Sequence, residues 1–435
     1  MAQYPRCRVL AIIGSGETSP TMVTVHRALV GRLGLGRPRA TVLATPYAFQ
    51  ENAADVSART ERYFADSVGL RVRVAAGTSP DADAGMAPPL IPPDPEDEAR
   101  QAAAIRAADW VFAGPGSPSY ALAHWQAGPV AAGLRDRVLA GDGLTVLASA
   151  AAATAGRFAV PVYEIYKAGG APRWLPGLDL LGALGLNVAL IPHYDNAEGG
   201  RYDTRYCYLG QRRLAEMERG LPAGAAVLGV DEHTAMLVDL RDEEIEIRGR
   251  GGVTIRRSGD DVVLPPGSRL SVAELRELVR GDLVRGRPGT DGGLGPAAGS
   301  GEADLPLPEL ITAAERRFGS ASGQRDADAM VGAILELETA ITAWEADMDE
   351  DQGTEQARAL LRDLIGRLGR AARDGLADPR DRLRPAVEPL LALRATLRGA
   401  GDFAAADAIR DALAGAGLDI SDTPEGTRWQ PAETA

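Results

Sequence analysis

The side chains best able to do covalent chemistry in this sequence stand at the ends of apolar runs. GLTVLASAAAATAG gives a strand-like stretch, then Ser149, then small residues able to open a helix. A serine at a tight strand-to-helix turn holds its hydroxyl clear of the sheet, and the next backbone N–H, that of Ala150, faces the same space; this is a nucleophile elbow. AGPGSPSY, directly after DWVFAG, offers the glycine-flanked amides of Gly116 and Ser117 as further donors to an oxyanion. His193, one of only four histidines, follows LNVALI in IPHYDN and could reach Ser149 as a general base. Glu164, fifteen residues after Ser149, could orient and charge-stabilise the imidazole, and Glu232 could take that place instead. The plainer readings are a serine that is merely small and a glutamate that is solvated beside Lys167.

Other polar residues compete for roles. Asp231, Glu232 and His233 follow the run AAVLGV. With Asp195 they could line the same pocket, and with His193 also hold a metal. Metal sites need converging ligands that spacing does not supply, so neither metal nor cofactor is expected. Cys207 opens a helical stretch rather than following a strand, which favours a structural thiol over a nucleophile. Arg205, with Arg212 and Arg213, could draw in an anionic substrate or simply face water. The GSGE at Gly14 lacks the third glycine of a dinucleotide fingerprint.

The elements that must position these residues are legible as alternating runs. RVLAII, ATVLAT, LRVRVAA, DWVFAG, GLTVLAS, LNVALI and AAVLGV alternate with helical stretches, such as those near Met22–Arg32 and Asn52–Ser67. Buried apolar runs separated by helices predict a mostly parallel sheet in a three-layer α/β domain, whose ligands lie beyond the carboxyl ends of the strands. After Glu232 the segments AMLVDL, EIEIRG, VTIRR and VVLPP predict an antiparallel meander, followed by a helix at Ser271–Arg280. The α/β domain is thus expected over 1–280 and a Gly/Pro-rich linker over 281–308. From 309 to 435 the period is helical: Met330, Ile334, Leu337, Ile341 and Trp344 form one stripe, and Leu360, Leu361, Leu364, Ile365 and Leu368 another, predicting a small helical bundle.

At 435 residues and 45% apolar content the chain can build more than one core. No apolar run approaches the ~18 residues of a membrane helix, and no signal-peptide pattern opens the sequence, so a cytoplasmic location with no membrane partner is expected. Two cysteines, Cys7 and Cys207, make no disulfide framework. A net charge of −13 argues against a general polyanion binder while leaving room for a local basic face. All basic residues but Lys167 are arginines.

The order serine, acid, histidine, together with IIGSGE, GPGSPSY, PHY and GVDEHTAML, is similar to the serine peptidases of the peptidase E and cyanophycinase group, with a class I glutamine amidotransferase-like fold. The resemblance covers roughly Arg8 to Leu240. It implies Ser149 as nucleophile, His193 as base and Glu164 as acid, with amides of Gly116 and Ala150 at the oxyanion. The elbow departs from that family, because Leu147 and Ala151 stand where it usually has glycines.

The tail LLALRATLRGAGDFAAADAIRDALAGAGLDISDTPEGTRW resembles the C-terminal end of cysteinyl-tRNA synthetase, with weaker similarity back to about Ile311. The match rests on Arg394, Arg398, the turn Asp402–Phe403, Asp407, Arg410 and the hook from Thr423 to Trp429. The sequence has neither that family's His-x-Gly-His type motif nor its Lys-Met-Ser-Lys-Ser loop, so aminoacylation is not expected. The resemblance implies tRNA contact, with Arg394, Arg398, Arg410 and Arg428 as candidates. Yet the span from Glu309 holds fifteen arginines against twenty-four acidic residues, so contact with protein or a homodimer stays open beside tRNA. The expected activity is serine hydrolysis of an amide or ester bond in a small-molecule, peptide or tRNA-linked substrate. The alternative is a non-catalytic binding or regulatory protein.

Overall fold

The computed structural model describes residues 7–75, 95–126, 128–197, 202–282, 305–344, 353–374, 379–423 and 426–432. The chain divides into two compact units, Met1–Leu310 with Thr339–Glu355, and Ile311–Glu338 with Gln356–Ala435. Most of the linker expected over 281–308 lies outside the described residues.

The first unit is mixed α/β. Its strands are β1 (Arg8–Ile13), β2 (Ala40–Leu43), β3 (Val72–Ala75), β4 (Trp110–Ala113), β5 (Gly143–Ala148), β6 (Phe158–Ala159), β7 (Leu175–Pro176), β8 (Val188–Ile191) and β9 (Ala226–Val230), then β10 (Thr234–Asp239), β11 (Glu244–Gly249), β12 (Val253–Arg257), β13 (Asp260–Leu264) and β14 (Arg269–Ser271). Helices α1 (Val23–Leu33), α2 (Ala53–Arg62), α3 (Pro95–Ala107), α4 (Pro118–Trp125), α5 (Pro129–Leu139), α6 (Ser149–Ala153), α7 (Val162–Tyr166), α8 (Gly210–Glu218) and α9 (Val272–Arg280) connect them. An eight-stranded sheet runs β14-β11-β10-β1-β5-β4-β2-β3, with β1, β5, β4, β2 and β3 mutually parallel.

Strand β1 shows why helices must cover both faces of this sheet. Successive side chains point to opposite faces. Leu10 and Ile12 pack into one apolar cluster while Val9, Ala11 and Ile13 pack into another, and all five are buried. A strand buried on both sides reads as a continuous apolar run, as RVLAII does.

The runs LNVALI and AAVLGV do not join that sheet. As β8 and β9 they lie side by side and parallel in a second sheet ordered β13-β12-β9-β8-β6-β7. The expected meander is likewise shared between the two sheets, because β10 and β11 extend the first antiparallel while β12 and β13 extend the second. Gly251 and Gly252 stand between β11 and β12, where the chain changes sheets.

Helices α10 (Leu307–Gly323), α11 (Ala327–Trp344), α12 (Thr354–Asp374), α13 (Pro379–Gly399) and α14 (Phe403–Gly415) follow. In the second unit the chain closes in a hairpin of β15 (Leu418–Thr423) and β16 (Gly426–Pro431), where only a hook was expected. Val387, Leu413 and Leu418 form a small core with Ile409 and Trp429 against it, so Trp429 covers these helices from a strand. Phe403, which opens α14, is exposed and lies under the Arg398 guanidinium. No helix among the described residues is long and apolar enough to cross a membrane.

Candidate active site

Three left-handed residues stand just beyond the carboxyl ends of β5, β8 and β9. Ser149 follows β5 with φ 46°, His193 follows β8 with φ 47°, and His233 follows β9 with φ 52°. A left-handed backbone at a non-glycine residue costs about 1–3 kcal/mol, so such positions persist only where surrounding structure over-determines them. At Ser149 that support comes from both sides. Leu147 and Ala151, which occupy the usual glycine positions, are fully buried, and the Ala151 N–H donates to the Gly114 carbonyl at 3.1 Å. The turn therefore forms without those glycines.

Ser149 Oγ lies 3.0 Å from His193 Nε2, and His193 Nδ1 lies 3.0 Å from Glu232 Oε1. With Nδ1–H donating to the carboxylate, Nε2 is the acceptor for the serine hydroxyl. Ser149 and His193 are both buried. Asn196 Nδ2 also donates to Glu232 Oε1, at 3.1 Å, and the Glu232 amide donates to Asp195 Oδ1 at 2.7 Å. Burial pushes the Glu232 carboxyl upward, but the hydrogen bonds from His193 and Asn196 and the nearby imidazoles more than offset it, leaving it below the usual carboxylate range. Asp231 moves the other way, raised to about 6 by burial and by the charge of Asp195.

Glu164, expected as the acid, is not the carboxylate on His193. It sits on α7 and accepts a hydrogen bond from Ser119 Oγ, on α4. Glu232 occupies the position at the imidazole because β8 and β9 are adjacent and parallel, so the residues following them emerge side by side.

The expected oxyanion donors separate in the same way. The Ser117 N–H is spent on the Pro46 carbonyl at 2.8 Å. The Gly116 N–H has no acceptor among the described residues, and Ala150, in the first turn of α6, has no intrahelical acceptor. Both residues line the cleft with Ser149 and His193. Gly116 has φ 130°, and a Cβ there would meet the Pro46 oxygen at 1.9 Å, so only glycine fits.

The cleft measures about 690 Å³ and carries a tyrosine-rich wall from Tyr163, Tyr166 and Tyr208. Lys167 is the one lysine, arginine or carboxylate on its wall among the described residues, with Nζ 4.9 Å from the Tyr163 ring centroid. The pocket candidates named from sequence lie elsewhere. Arg205 is turned onto Asp203 through two hydrogen bonds at 2.8 and 2.9 Å. His233 is buried against Thr21, with Nδ1 2.9 Å from its hydroxyl, while Asp195 and Glu232 stand behind His193 rather than on the cleft wall. Cys207 lines the cleft without following a strand; its N–H donates to the His193 carbonyl at 3.0 Å. Tyr206, Cys207 and Tyr208 are consecutively left-handed. No group of three or more His, Cys, Asp or Glu is placed to hold a metal among the described residues.

The tyrosine wall, Lys167 and Asn196 went unassigned in the sequence. Tyr163 and Lys167 carry a usable signal, four residues apart on one short helical segment, whereas nothing local marks Asn196.

In the second unit Arg394 is not available to a nucleic acid. It is buried and makes a two-pronged bond to Asp422, at 2.8 and 2.9 Å. Arg398 and Arg410 are exposed, the first 3.9 Å from Asp422 and the second 3.6 Å from Asp411, and Arg428 lies on β16.

Fold and site together define a mixed α/β protein with a serine–histidine–glutamate row at a strand-to-helix elbow. No family model matches the chain. It is similar to a cysteine–tRNA ligase of Acidovorax sp. (strain JS42), 37% identical over 112 residues, which is 21% of this chain and 24% of the relative. It is also similar to those of Halorhodospira halophila, 43% identical over 82 residues (18% of each chain), and Symbiobacterium thermophilum, 46% over 74 residues (17% and 15%). The chain thus spans a quarter or less of the length of these relatives. Among solved structures it is similar to a peptidase from an acI-B1 Actinobacterium, with TM-score 0.46, 17% identity, and coverage of 61% of this chain and 97% of that one. A putative peptidase E protein from Listeria monocytogenes EGD-e gives TM-score 0.36, 14% identity, and coverage of 56% and 98%.

Proposed function

We propose that this chain is a serine hydrolase acting on an amide or ester bond of a small amino-acid-derived molecule. One observation carries the reading, the continuous row Ser149 Oγ, His193 and Glu232 with both links at 3.0 Å. Ser149 Oγ attacks the carbonyl carbon as its proton passes to His193 Nε2. The oxyanion is held by the amides of Gly116 and Ala150, and His193 then protonates the leaving amine or alcohol. Water, deprotonated by the same imidazole, releases the acyl group and restores Ser149. Glu232 keeps the imidazole in the productive tautomer and stabilises its charge. Lys167 favours substrates with one anionic group, since no carboxylate lines the cleft among the described residues.

The test is a fluorophosphonate probe on the purified protein, with the labelled residue mapped by mass spectrometry. Labelling at Ser149 that Ser149→Ala abolishes is the expected result. No labelling of folded protein would overturn the hydrolase reading in favour of a binding pocket.

The similarity to cysteine–tRNA ligases favours a narrower version, in which the scissile ester is carried on tRNA and the helical unit contacts the nucleic acid. Added tRNA would then bind and raise turnover of an aminoacyl ester, with affinity falling steeply as salt rises. Absence of binding at low salt removes this version and leaves the small-molecule hydrolase standing.

A further inference from the structure

We propose that Glu164 is a positioning residue for the oxyanion loop, acting through Ser119 and Ser117; this rests on the hydrolase reading of the same site. The hydrogen bonds among these groups have one consistent direction. The Tyr120 N–H donates to Ser117 Oγ at 3.2 Å, so that oxygen accepts. Glu164 Oε1, as a carboxylate oxygen, accepts from the Ser119 hydroxyl, which uses that hydroxyl's only proton. The remaining link, Ser117 Oγ to Ser119 Oγ at 3.0 Å, must then be donated by Ser117. The row runs from the helix amide through two hydroxyls to the carboxylate.

This row ends on the residue that follows Gly116. The Ser117 amide is fixed on the Pro46 carbonyl at 2.8 Å and its hydroxyl is fixed by Ser119, so Ser117 is held at both ends. Gly116 has the conformational freedom of a glycine at φ 130°, and fixing its neighbour is what keeps its N–H aimed into the cleft. Glu164 makes no ion pair among the described residues, and its Oε2 is buried without a partner there. A carboxylate placed like this is poor as a surface charge but strong as an acceptor, because hydrogen bonds to ionised groups are the stronger kind. Glu164 touches neither the nucleophile nor the base, so its effect reaches catalysis only through the loop.

The test compares the full chain with Glu164→Ala, Glu164→Gln, Ser119→Ala and the double variant Glu164→Ala/Ser119→Ala. Two readouts are taken, the second-order rate of Ser149 phosphonylation by a fluorophosphonate and hydrogen–deuterium exchange in a peptide spanning 113–125. Glu164→Ala and Ser119→Ala should each slow phosphonylation by about 10- to 100-fold, up to the loss that misplacing a group by about 1 Å can cause and below the about 10²–10³-fold of removing an oxyanion donor outright. Glu164→Gln, whose amide oxygen still accepts from Ser119, should remain within about threefold. The double variant should be no slower than the slower single one, because all three groups act as one row. Exchange at the Ser117 and Tyr120 amides should quicken in Glu164→Ala and Ser119→Ala and stay at the wild-type rate in Glu164→Gln.

Unchanged exchange in Glu164→Ala overturns the proposal, as do single losses that multiply in the double variant. Faster exchange with unchanged phosphonylation also overturns it, since the loop would then be held without bearing on the donor. A wild-type chain that never labels removes the hydrolase reading instead, and exchange alone then decides whether Glu164 holds the loop. If Glu164→Ala does not fold, Ser119→Ala carries both readouts.

Discussion

Glu232 Oε1 lies 3.0 Å from Nδ1 of His193, a residue thirty-nine positions earlier in the chain. That pairing follows from topology. β8 and β9 are parallel neighbours, so the turns after them, one bearing His193 and the other Glu232, open side by side. Glu232→Gln keeps the shape of the side chain but removes the charge that favours the Nδ1–H tautomer. It should lower fluorophosphonate reactivity at Ser149 by up to about 10⁴-fold, the loss that follows when a triad acid is neutralised by its amide. Circular dichroism should show the variant folded. A rate within a fewfold of wild type would remove Glu232 from the acid's role.

Lys167 gives a second prediction, on substrate choice. Lys167→Met keeps the length and apolar stem of the side chain without its charge. With paired ester substrates differing only by a carboxylate, the variant should raise KM for the anionic one by about tenfold, the equivalent of about 1.4 kcal/mol, and leave the neutral one unchanged. Equal effects on both substrates would mean that the ammonium only packs against Tyr163.

Asp231 predicts a pH-dependent stability. Burial and the charge of Asp195 raise its carboxyl from 3.8 to about 6 in the folded chain, while the unfolded chain keeps the ordinary value. Its contribution is then fully present below pH 3.8 and is lost as pH rises through about 6. Asp231→Asn, whose amide oxygen can still accept from the Gly252 N–H, should therefore flatten the urea midpoint between about pH 4 and 6 and be more stable than wild type at pH 8. A wild-type midpoint rising steadily across that window, unchanged in slope by the substitution, would contradict this account.

Arg394 separates structural from nucleic-acid roles in the helical unit. Its guanidinium ties α13 to β15 through Asp422, and the bond holds the Asp422 carboxyl far below the usual range. Arg394→Met should cost about 1–2 kcal/mol of stability, measured by thermal melting, since it removes a charged hydrogen bond whose partner stays half-exposed. Arg398→Ala with Arg410→Ala should leave melting unchanged and, if tRNA binds here, lower the salt slope of binding. A melting change confined to the Arg398/Arg410 pair would reverse these assignments.

Much of this arrangement is legible in the sequence because it is local. RVLAII, DWVFAG and GLTVLAS mark their strands by continuous apolar character, and Ser149 and His193 are identifiable because each directly follows such a run. The choice between Glu164 and Glu232 is not local. It depends on which strands become neighbours, and the spacing of fifteen residues from Ser149 to Glu164 says nothing about the second sheet that brings β8 beside β9. Ser117 shows the same limit. Its place in GPGSPSY marks a loop at the cleft, but only the fold brings the Pro46 carbonyl up to take its amide. Arg394 reads as a candidate for tRNA contact because its actual partner, Asp422, sits twenty-eight positions away on a strand that a helical period does not announce.

The solitary lysine has a practical consequence. Apart from the α-amino group, Lys167 is the whole supply of primary amines in this sequence, since the other basic side chains are guanidiniums and four imidazoles. An amine-acylating reagent therefore finds one side-chain target, and that target stands in the wall of the cleft. Protection of a single acylation site becomes a direct reading of whether the cleft is filled, a reporter already present in the native chain that needs no engineered label.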